Sequence, residues 1–305
     1  MSEAVSIKGL SKSYGRLRAL DRVSLSVESG ELFGIIGPDG AGKSTMYRIL
    51  ATLLRPDSGS ASVCGLDTVK DYARLRTMIG YMPERFSLYQ DLTVMENLRF
   101  FASLFGVSLN DNYDLIAPVF GQLERFPNRK AGALSGGMKQ KLALSCALVH
   151  RPSILLLDEP TTGVDAISRS EFWDMLSGLK AQGITILVST SYKDEADRCE
   201  RISIIDRGRI LVTDTPAHLT ASLGENLFNA VAPDMFGLLS ALRRLPEVTD
   251  CYTFGATLHV VGRGDFNPAE VKAKLLAGGI EGAHIYPAKG NIEDLFIKLT
   301  HNDRQ

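Results

Sequence analysis

A glycine-rich run, GPDGAGKST at 37–45, holds the residues best suited to bind a chain of phosphates. It follows the apolar segment ELFGIIG and opens the segment KSTMYRILATLL, which predicts a strand, a loop and a helix in that order. Glycines let several backbone N–H groups converge on phosphate oxygens, and the helix adds its positive N-terminus. Lys43 is predicted to reach the β- and γ-phosphates, Ser44 to offer a hydroxyl to Mg²⁺, and Thr45 to hold the α-phosphate.

An acidic pair, Asp158 and Glu159, ends the apolar run ILLLDEP. Such a run is typical of a strand buried inside a parallel sheet. At the end of this strand, Asp158 is predicted to hold Mg²⁺ through water, and Glu159 to polarise a water for in-line attack on a γ-phosphate. The pair therefore predicts metal-assisted phosphoryl transfer.

A second predicted anion site is LSGGMKQ at 134–140, where a serine and two glycines precede an apolar helical pattern. This pattern predicts another helix N-terminus able to bind a phosphate group. One chain would then carry two phosphate sites, and the second needs its own explanation.

The overall composition limits the class of protein. The chain has 305 residues, 45% of them apolar, and its 34 basic and 35 acidic residues give a net charge of −1, which offers no electrostatic case for nucleic acid as the main ligand. The four cysteines are widely spaced, which fits neither a zinc cluster nor a disulfide framework and favours a reducing compartment. We find no signal peptide and no apolar run of the roughly 18 to 20 residues that span a bilayer, so the cytoplasm is predicted and any membrane role requires a partner.

Two domains are predicted to carry these residues. Residues 1–214 are predicted to form a mixed α/β domain in which 84–150 are mainly helical. Within it, SASVCG and MIGYMPE are predicted to form a strand pair, and YKDEADRC a helix. A hairpin, RISIIDRGRILVTD, closes this domain. In residues 215–305 the predicted strands and helices follow the order β-α-β-β-α-β-α, which indicates a small ferredoxin-like α+β domain.

Over residues 3 to about 214 the chain resembles the nucleotide-binding subunit of ATP-binding cassette (ABC) transporters. GPDGAGKST, LSGGMKQ, ILLLDEP and TTGVD occur in the order and at the distances of that family. The resemblance implies a P-loop ATPase of the ABC type that dimerises head to tail around two ATP molecules. Each ATP would lie between the phosphate loop (37–45) of one subunit and the signature (134–138) of the other, which explains the second phosphate site.

The resemblance also assigns roles to single residues. Tyr14 looks like the aromatic that stacks on adenine, and Asp165 in TTGVD looks like the aspartate that links the two sites across the dimer. The metal Mg²⁺ would be held by Ser44 and, through water, by Asp158. The residues implied to bind ATP are Tyr14, Gly37, Pro38, Asp39, Gly40, Ala41, Gly42, Lys43, Ser44 and Thr45. The signature, implied to contact the ATP of the other subunit, consists of Leu134, Ser135, Gly136, Gly137 and Met138. The implied catalytic residues are Glu159, Lys43, Glu84 and Ser191.

Four positions depart from the family pattern. At Ser191 the family usually has a histidine that contacts the γ-phosphate, and at Glu84 a glutamine that contacts Mg²⁺ and the attacking water. Asp39 and Met138 replace a frequent Asn and a frequent Gln, and both are tolerated variants. One interpretation is a site that binds ATP well but hydrolyses it slowly, while its signature serves a second cassette with an intact site. The alternative is a working ATPase in which all four changes are neutral.

The expected partners follow from the same resemblance. They are a second cassette, identical or different, and separate membrane-spanning permease subunits, which would place the protein on the cytoplasmic face of the cell membrane. Four aromatic residues predict a groove for a short helix of the permease: Phe86, Tyr89, Phe100 and Phe101. The segments STSYKDEADRC and NIEDLFIKLT are most like the first cassette of bacterial tandem-cassette multidrug exporters.

Two other classes of function stay open. Cytosolic ABC proteins that act on ribosomes or DNA usually carry two cassettes or a long coiled coil, and neither feature is present in this sequence. A regulatory or scaffold subunit with little turnover is the other alternative. A steady-state ATPase assay separates it from an active transport subunit.

Overall fold

The computed structural model describes residues 2–224, 226–264 and 266–302. The chain divides into two compact units, Met1–Pro216 and Ala217–Gln305. Each has its own apolar core. None of the helices in the described part of the chain has the length and apolar character needed to cross a membrane.

An antiparallel sheet of four strands begins the N-terminal unit, in the order β2-β1-β4-β5. Its inward residues are apolar and its outward residues polar, as expected for a sheet with one face against the core. Val5, Ile7 and Leu10 of the first strand are buried in this way. The strands are β1 (Glu3–Tyr14), β2 (Leu17–Glu28), β4 (Ser58–Val63) and β5 (Leu66–Asp67).

A six-stranded sheet lies at the centre of this unit, in the order β10-β9-β3-β8-β7-β6. Five neighbouring strands run parallel, and only the edge strand β10 is antiparallel. Helices cover parallel sheets on both faces, which is why three central strands are buried along their whole length. The strands are β3 (Leu32–Ile36), β6 (Ile79–Met82), β7 (Ile154–Asp158), β8 (Thr185–Thr190), β9 (Arg201–Asp206) and β10 (Arg209–Asp214).

Local signals explain where the longer helices begin. Thr93 caps one helix through a reciprocal pair of hydrogen bonds with Glu96, and Ser135 and Asp165 cap two others by accepting from backbone N–H groups. The helices of this unit are α1 (Lys43–Leu50), α2 (Tyr72–Leu75), α3 (Val94–Leu104), α4 (Tyr113–Phe120), α5 (Gly136–Leu148) and α6 (Ala166–Ala181), and the short helix α7 (Pro216–Ala221) begins at its last residue.

Two sequence-based expectations for this unit are wrong. The strands at SASVCG and MIGYMPE do not pair, because β4 joins the antiparallel sheet beside β1 while β6 runs parallel to β7. The turns and α2 between them carry the chain from one sheet to the other. The segment YKDEADRC forms a 3₁₀ helix, Lys193–Arg198, rather than an α-helix.

The C-terminal unit confirms the predicted β-α-β-β-α-β-α order. Its antiparallel sheet has the strand order β12-β13-β11-β14, which is the ferredoxin-like arrangement. Two helices cover one face of this sheet with an apolar core that includes Leu238, Leu258 and Val271. The elements are β11 (Leu227–Val231), α8 (Met235–Leu242), β12 (Val248–Phe254), β13 (Thr257–Gly262), α9 (Pro268–Ala277), β14 (His284–Pro287) and α10 (Ile292–Asn302).

A buried polar cluster joins α10 to the sheet of this unit. Asp294 accepts hydrogen bonds from Tyr252 Oη at 2.9 Å and from His259 Nδ1 at 2.6 Å. Its second oxygen accepts from the backbone N–H of Asn291. Burial raises the pKa of Tyr252 well above its ordinary value, and the Asp294 carboxylate beside it raises it further.

Candidate functional site

The phosphate loop joins β3 to α1. Gly42 is the N-cap of α1 with φ of 106°, and a Cβ there would overlap the carbonyl oxygen of Ala19, so only glycine fits. It offers no capping side chain, and the N-terminus of α1 is therefore open to an anion. Pro38, Asp39 and Gly40 are exposed at the tip of the loop.

Lys43 is buried within the loop that it follows. Its Nζ donates to the carbonyl oxygens of Gly37 at 2.6 Å and Pro38 at 2.9 Å. The same Nζ lies 2.9 Å from Glu159 Oε1. The phosphate loop and the acidic pair thus meet through a single cation.

The carboxyl ends of β3, β7 and β8 lie side by side and bring together most of the predicted catalytic residues. Asp158 ends β7, Glu159 follows it, and Ser191 follows β8. Glu159 Oε2 accepts from Thr162 Oγ1 at 3.1 Å and from the backbone N–H of Ser191 at 3.2 Å. The Glu159 carboxylate is thus surrounded by a cation on one oxygen and polar hydrogens on the other.

The backbone of Glu159 takes an unusual conformation. Its φ is 51°, in the left-handed region that residues other than glycine rarely adopt. Such strain typically costs about 1–3 kcal/mol and concentrates at functional sites. The bend leads the chain away from the line of β7, and the Glu159 carboxylate lies against Lys43.

Asp158 is almost completely buried, and its oxygens have hydroxyl neighbours. Burial raises the pKa of its carboxyl, hydrogen bonds from Ser189 and Ser44 lower it, and the negative charges of Glu159 and Glu84 raise it again. A carboxylate beside a serine hydroxyl is a set of hard oxygen donors of the kind that Mg²⁺ prefers. Ser44 and Asp158 therefore fit the predicted metal position.

The other predicted ligands of the first site lie at its margin. Glu84 is exposed after β6. Tyr14 is also exposed, at the end of β1, with its ring free to receive a flat ligand. Ala41 is buried beneath the loop and Thr45 is half-buried on α1.

The signature lies at the start of α5 and packs against the loop before α6. Ser135 caps α5 by accepting from Met138 N at 3.4 Å, Leu134 is buried and Gly136 is exposed. A Cβ at Gly137 would lie 2.7 Å from the side chain of Ser168, so the two segments touch without room for a larger residue.

Asp165 belongs to the same contact. It caps α6 by accepting from Ser168 N at 3.0 Å. The backbone hydrogen bonds of this cap, with Ser168 first, lower the pKa of the Asp165 carboxyl. Among the described residues no hydrogen bond or ion pair joins the signature to the phosphate loop.

Three of the four aromatic residues predicted to form a groove pack in series, because the Phe100 ring contacts both Tyr89 and Phe101. Phe101 lines a cavity of about 660 Å³ together with apolar residues of α3, α5 and β6. Tyr89 and Phe100 are exposed and pack edge to face with ring centroids 5.0 Å apart. The Phe86 ring lies 5.7 Å from Lys139 Nζ.

Two residues of the site were missed by sequence reasoning. Ser189 and Thr162 bond to the acidic pair through their hydroxyls. Thr162 lies in the TTGVD run, in which the family resemblance assigns a role to Asp165 alone. Ser189 is a lone polar residue in an apolar strand, and only its position opposite Asp158 in the sheet would have identified it.

This chain is similar to a known protein family, both in its match to a family model and in its identity to known proteins. A family model described as ABC transporter matches residues 20–162. The probable multidrug ABC transporter ATP-binding protein YbhF of Escherichia coli (strain K12) is 40% identical over 306 residues, which are 98% of this chain and 52% of that protein. This chain therefore spans about half the length of that relative.

Other known proteins match over nearly all of their own length. The Nod factor export ATP-binding protein I of Burkholderia orbicola is 36% identical over 310 residues, covering 99% of this chain and 98% of that protein. A solved ATP-binding subunit of an ABC transporter has a TM-score of 0.66 at 31% identity and covers 72% of this chain and 93% of its own. The dimeric cassette MJ0796 bound to ADP and Pi has a TM-score of 0.63 at 29% identity and covers 69% of this chain and 98% of its own. This chain belongs to the family of ATP-binding proteins of ABC transporters.

Proposed function

We propose that this chain binds and hydrolyses ATP as the ATP-binding subunit of a membrane exporter of the drug-export type. The observation that carries the proposal is the meeting of Lys43, Asp158, Glu159 and Ser191 beside the phosphate loop. Relatives named for multidrug and Nod factor export support the exporter assignment.

The bound nucleotide would replace protein contacts with its own. Lys43 would leave Glu159 and the loop carbonyls to meet the β- and γ-phosphates, while the N–H groups of the loop and α1 bind the remaining oxygens. Tyr14 would stack on adenine, a contact worth about 1–3 kcal/mol. Each group is thus matched to one part of ATP.

The metal position would be formed by Ser44 directly and by Asp158 through water. Bound Mg²⁺ would neutralise charge on the phosphates as phosphoryl transfer proceeds. This chain's own part is to keep the two oxygen donors adjacent and shielded from bulk water.

Glu159 would accept the proton of the attacking water once Lys43 has moved to the phosphates. Ser191 lies against the same carboxylate but offers only a hydroxyl and a backbone N–H, with no imidazole to carry positive charge. Glu84 adds a negative charge near Asp158. We therefore propose that this chain hydrolyses ATP slowly at its own site.

The signature would act on the nucleotide of a second cassette. Ser135 and Gly136, at the N-terminus of α5, are exposed, as a site completed by a partner requires. The contact between Gly137 and Ser168 would make the signature sensitive to the position of Asp165. Head-to-tail pairing of two cassettes is the arrangement that uses both phosphate sites.

The apolar cavity beside Phe101 would receive a short cytoplasmic helix of a permease subunit. It is large enough for several apolar side chains and is lined by Leu104, Phe105, Ala143 and Ala147. A subunit docked in this way would lie on the cytoplasmic face of the membrane. In this proposal residues 1–214 form the ATPase domain and 215–305 a separate small domain.

The experiment is a steady-state ATPase assay of the purified chain, alone and after reconstitution in vesicles with candidate permease subunits and a second cassette. We expect slow hydrolysis alone and faster hydrolysis, with transport, in the complex. Binding of ATP without hydrolysis under every condition would favour a regulatory subunit instead.

A further inference from the structure

A buried serine, Ser189, lies beside the acidic pair at the end of β7. Ser189 is the fifth residue of β8 and is fully buried. Its neighbour across the parallel sheet is Asp158, the last residue of β7. A polar side chain in this apolar layer requires a partner, because an unsatisfied buried hydroxyl is costly.

The hydroxyl has two partners of opposite kind. Ser189 Oγ lies 2.7 Å from Asp158 Oδ1, and Glu159 N donates to Ser189 Oγ at 3.0 Å. A carboxylate only accepts and a backbone N–H only donates, so the direction of both bonds is fixed. The Ser189 proton must point at Asp158, and its oxygen must face Glu159.

The geometry points to Ser189 as a positioning residue that orients the Asp158 carboxylate toward the metal position. This inference rests on the function proposed above and assigns part of that site. One carboxylate oxygen is held by Ser189, while the side chain of Ser44 approaches the same carboxylate. The carboxylate can then face the metal position in a single orientation.

The loss of this hydroxyl would affect Asp158 more than Glu159. Glu159 N also donates to the carbonyl oxygen of Ser189 at 3.2 Å, and an alanine keeps that acceptor. Asp158 Oδ1 has no such substitute from residue 189. Partners that orient a metal-binding carboxylate typically contribute about 10- to 100-fold to metal affinity or activity.

The test is a Mg²⁺ titration of thermal stability with saturating ADP, which needs no turnover. In Ser189→Ala we expect ADP to stabilise the protein in EDTA as it does in the parent. The Mg²⁺ concentration that gives half of the additional stabilisation should rise about 10-fold or more. Ser189→Thr keeps the hydroxyl and should restore most of the parent response.

The matched control is Ser203→Ala. Ser203 is equally buried on β9, which is separated from β8 by β3, and its hydroxyl pairs with Thr213 at 2.6 Å, away from the acidic pair. If Ser189→Ala and Ser203→Ala need the same Mg²⁺ concentration, the inference is wrong. It is equally wrong if Ser189→Thr behaves like Ser189→Ala.

The test also covers two failures, a Ser189→Ala variant that does not fold and a parent protein that does not bind nucleotide. If Ser189→Ala does not fold, Ser189→Cys tests the same contact with a weaker donor, and a parent-like Mg²⁺ requirement in that variant would overturn the inference. If ADP and ATP fail to stabilise even the parent protein, the proposed ATP-binding function fails. That result differs from any result that concerns Ser189 alone.

Discussion

Lys43 Nζ lies 2.9 Å from Glu159 Oε1, and both side chains are more than nine-tenths buried. The cation predicted to meet phosphate is thus already paired with the carboxylate predicted to activate water. A buried pair of this kind is costly to break by removing one partner, since the remaining charge is left uncompensated. Nucleotide binding must therefore exchange one anion for another around Lys43.

Lys43→Ala should remove most of the stabilisation by ATP, because the point charge that meets the phosphates is lost. It should also lower the thermal midpoint of the free protein, since Glu159 then lacks its cation. The measurement is the thermal shift with and without Mg-ATP. Lys70→Ala, at an exposed position, is the control. An undiminished ATP shift in Lys43→Ala would show that the phosphate loop is misassigned.

Glu159→Gln should lower ATP hydrolysis by about 10² or more, the usual contribution of a general base. The neutral amide holds Lys43 less strongly, so the thermal shift produced by ATP should be at least as large as in the parent. Phosphate release and thermal shift are measured on the same preparation. A variant that loses binding and hydrolysis together would contradict the role of Glu159 as a base.

Ser191→His should raise the turnover of the purified chain, on the order of 10² if it restores one contact to the transition state. Glu84→Gln in the same protein should increase the effect by removing a negative charge near Asp158. Ser103→His, exposed on α3, controls for an added imidazole. A fast parent enzyme that neither change alters would exclude the proposed slow site.

Ser135→Arg should abolish hydrolysis that depends on a second cassette, whereas ATP should still stabilise the isolated chain through its own phosphate loop. Ser135 also caps α5, and the loss of a cap costs about 1 kcal/mol. Ser108→Arg removes another exposed capping serine and serves as the matched control. Equal ATPase rates in the two variants would show that the signature completes no partner site.

Asp294→Ala should destabilise the C-terminal unit by about 1–3 kcal/mol for each buried donor that it leaves unsatisfied, those of Tyr252 and His259. Asp234→Ala removes only the cap of α8 and should cost about 1 kcal/mol. Thermal unfolding followed by far-UV circular dichroism compares the two variants. Equal midpoints for both would mean that the cluster does not hold α10 in place.

The position of Asp158 at the end of a strand was predictable from the sequence. A continuous apolar run such as ILLLD indicates a strand that is buried between two layers of helices, and the first acidic residue after the apolar ones marks its end. The partners of β4 and β6 were not predictable. Both segments read as strands, and neighbours in sequence usually pair, but pairing depends on which sheet has a free edge.

Ser189 illustrates the limit for the site itself. A serine within TILVST carries no periodic signal, and its role appears only when the register sets it opposite Asp158. The left-handed backbone of Glu159 was equally invisible, since nothing in DEP distinguishes it from an ordinary strand end. Residue types could be read from the sequence, whereas contacts across strands required the fold.

The central position of β3 has a consequence for how the protein is made. This strand leads into the phosphate loop, yet both of its neighbours, β8 and β9, come from the far end of the N-terminal unit. One hydrogen bond across this junction, from Gly30 N to Thr185 Oγ1, joins residues 155 positions apart. Such non-local pairing is slow, and during synthesis on the ribosome the loop emerges long before the strands that support it. The nascent chain should therefore acquire affinity for nucleotide late and abruptly, when β8 and β9 enter the sheet.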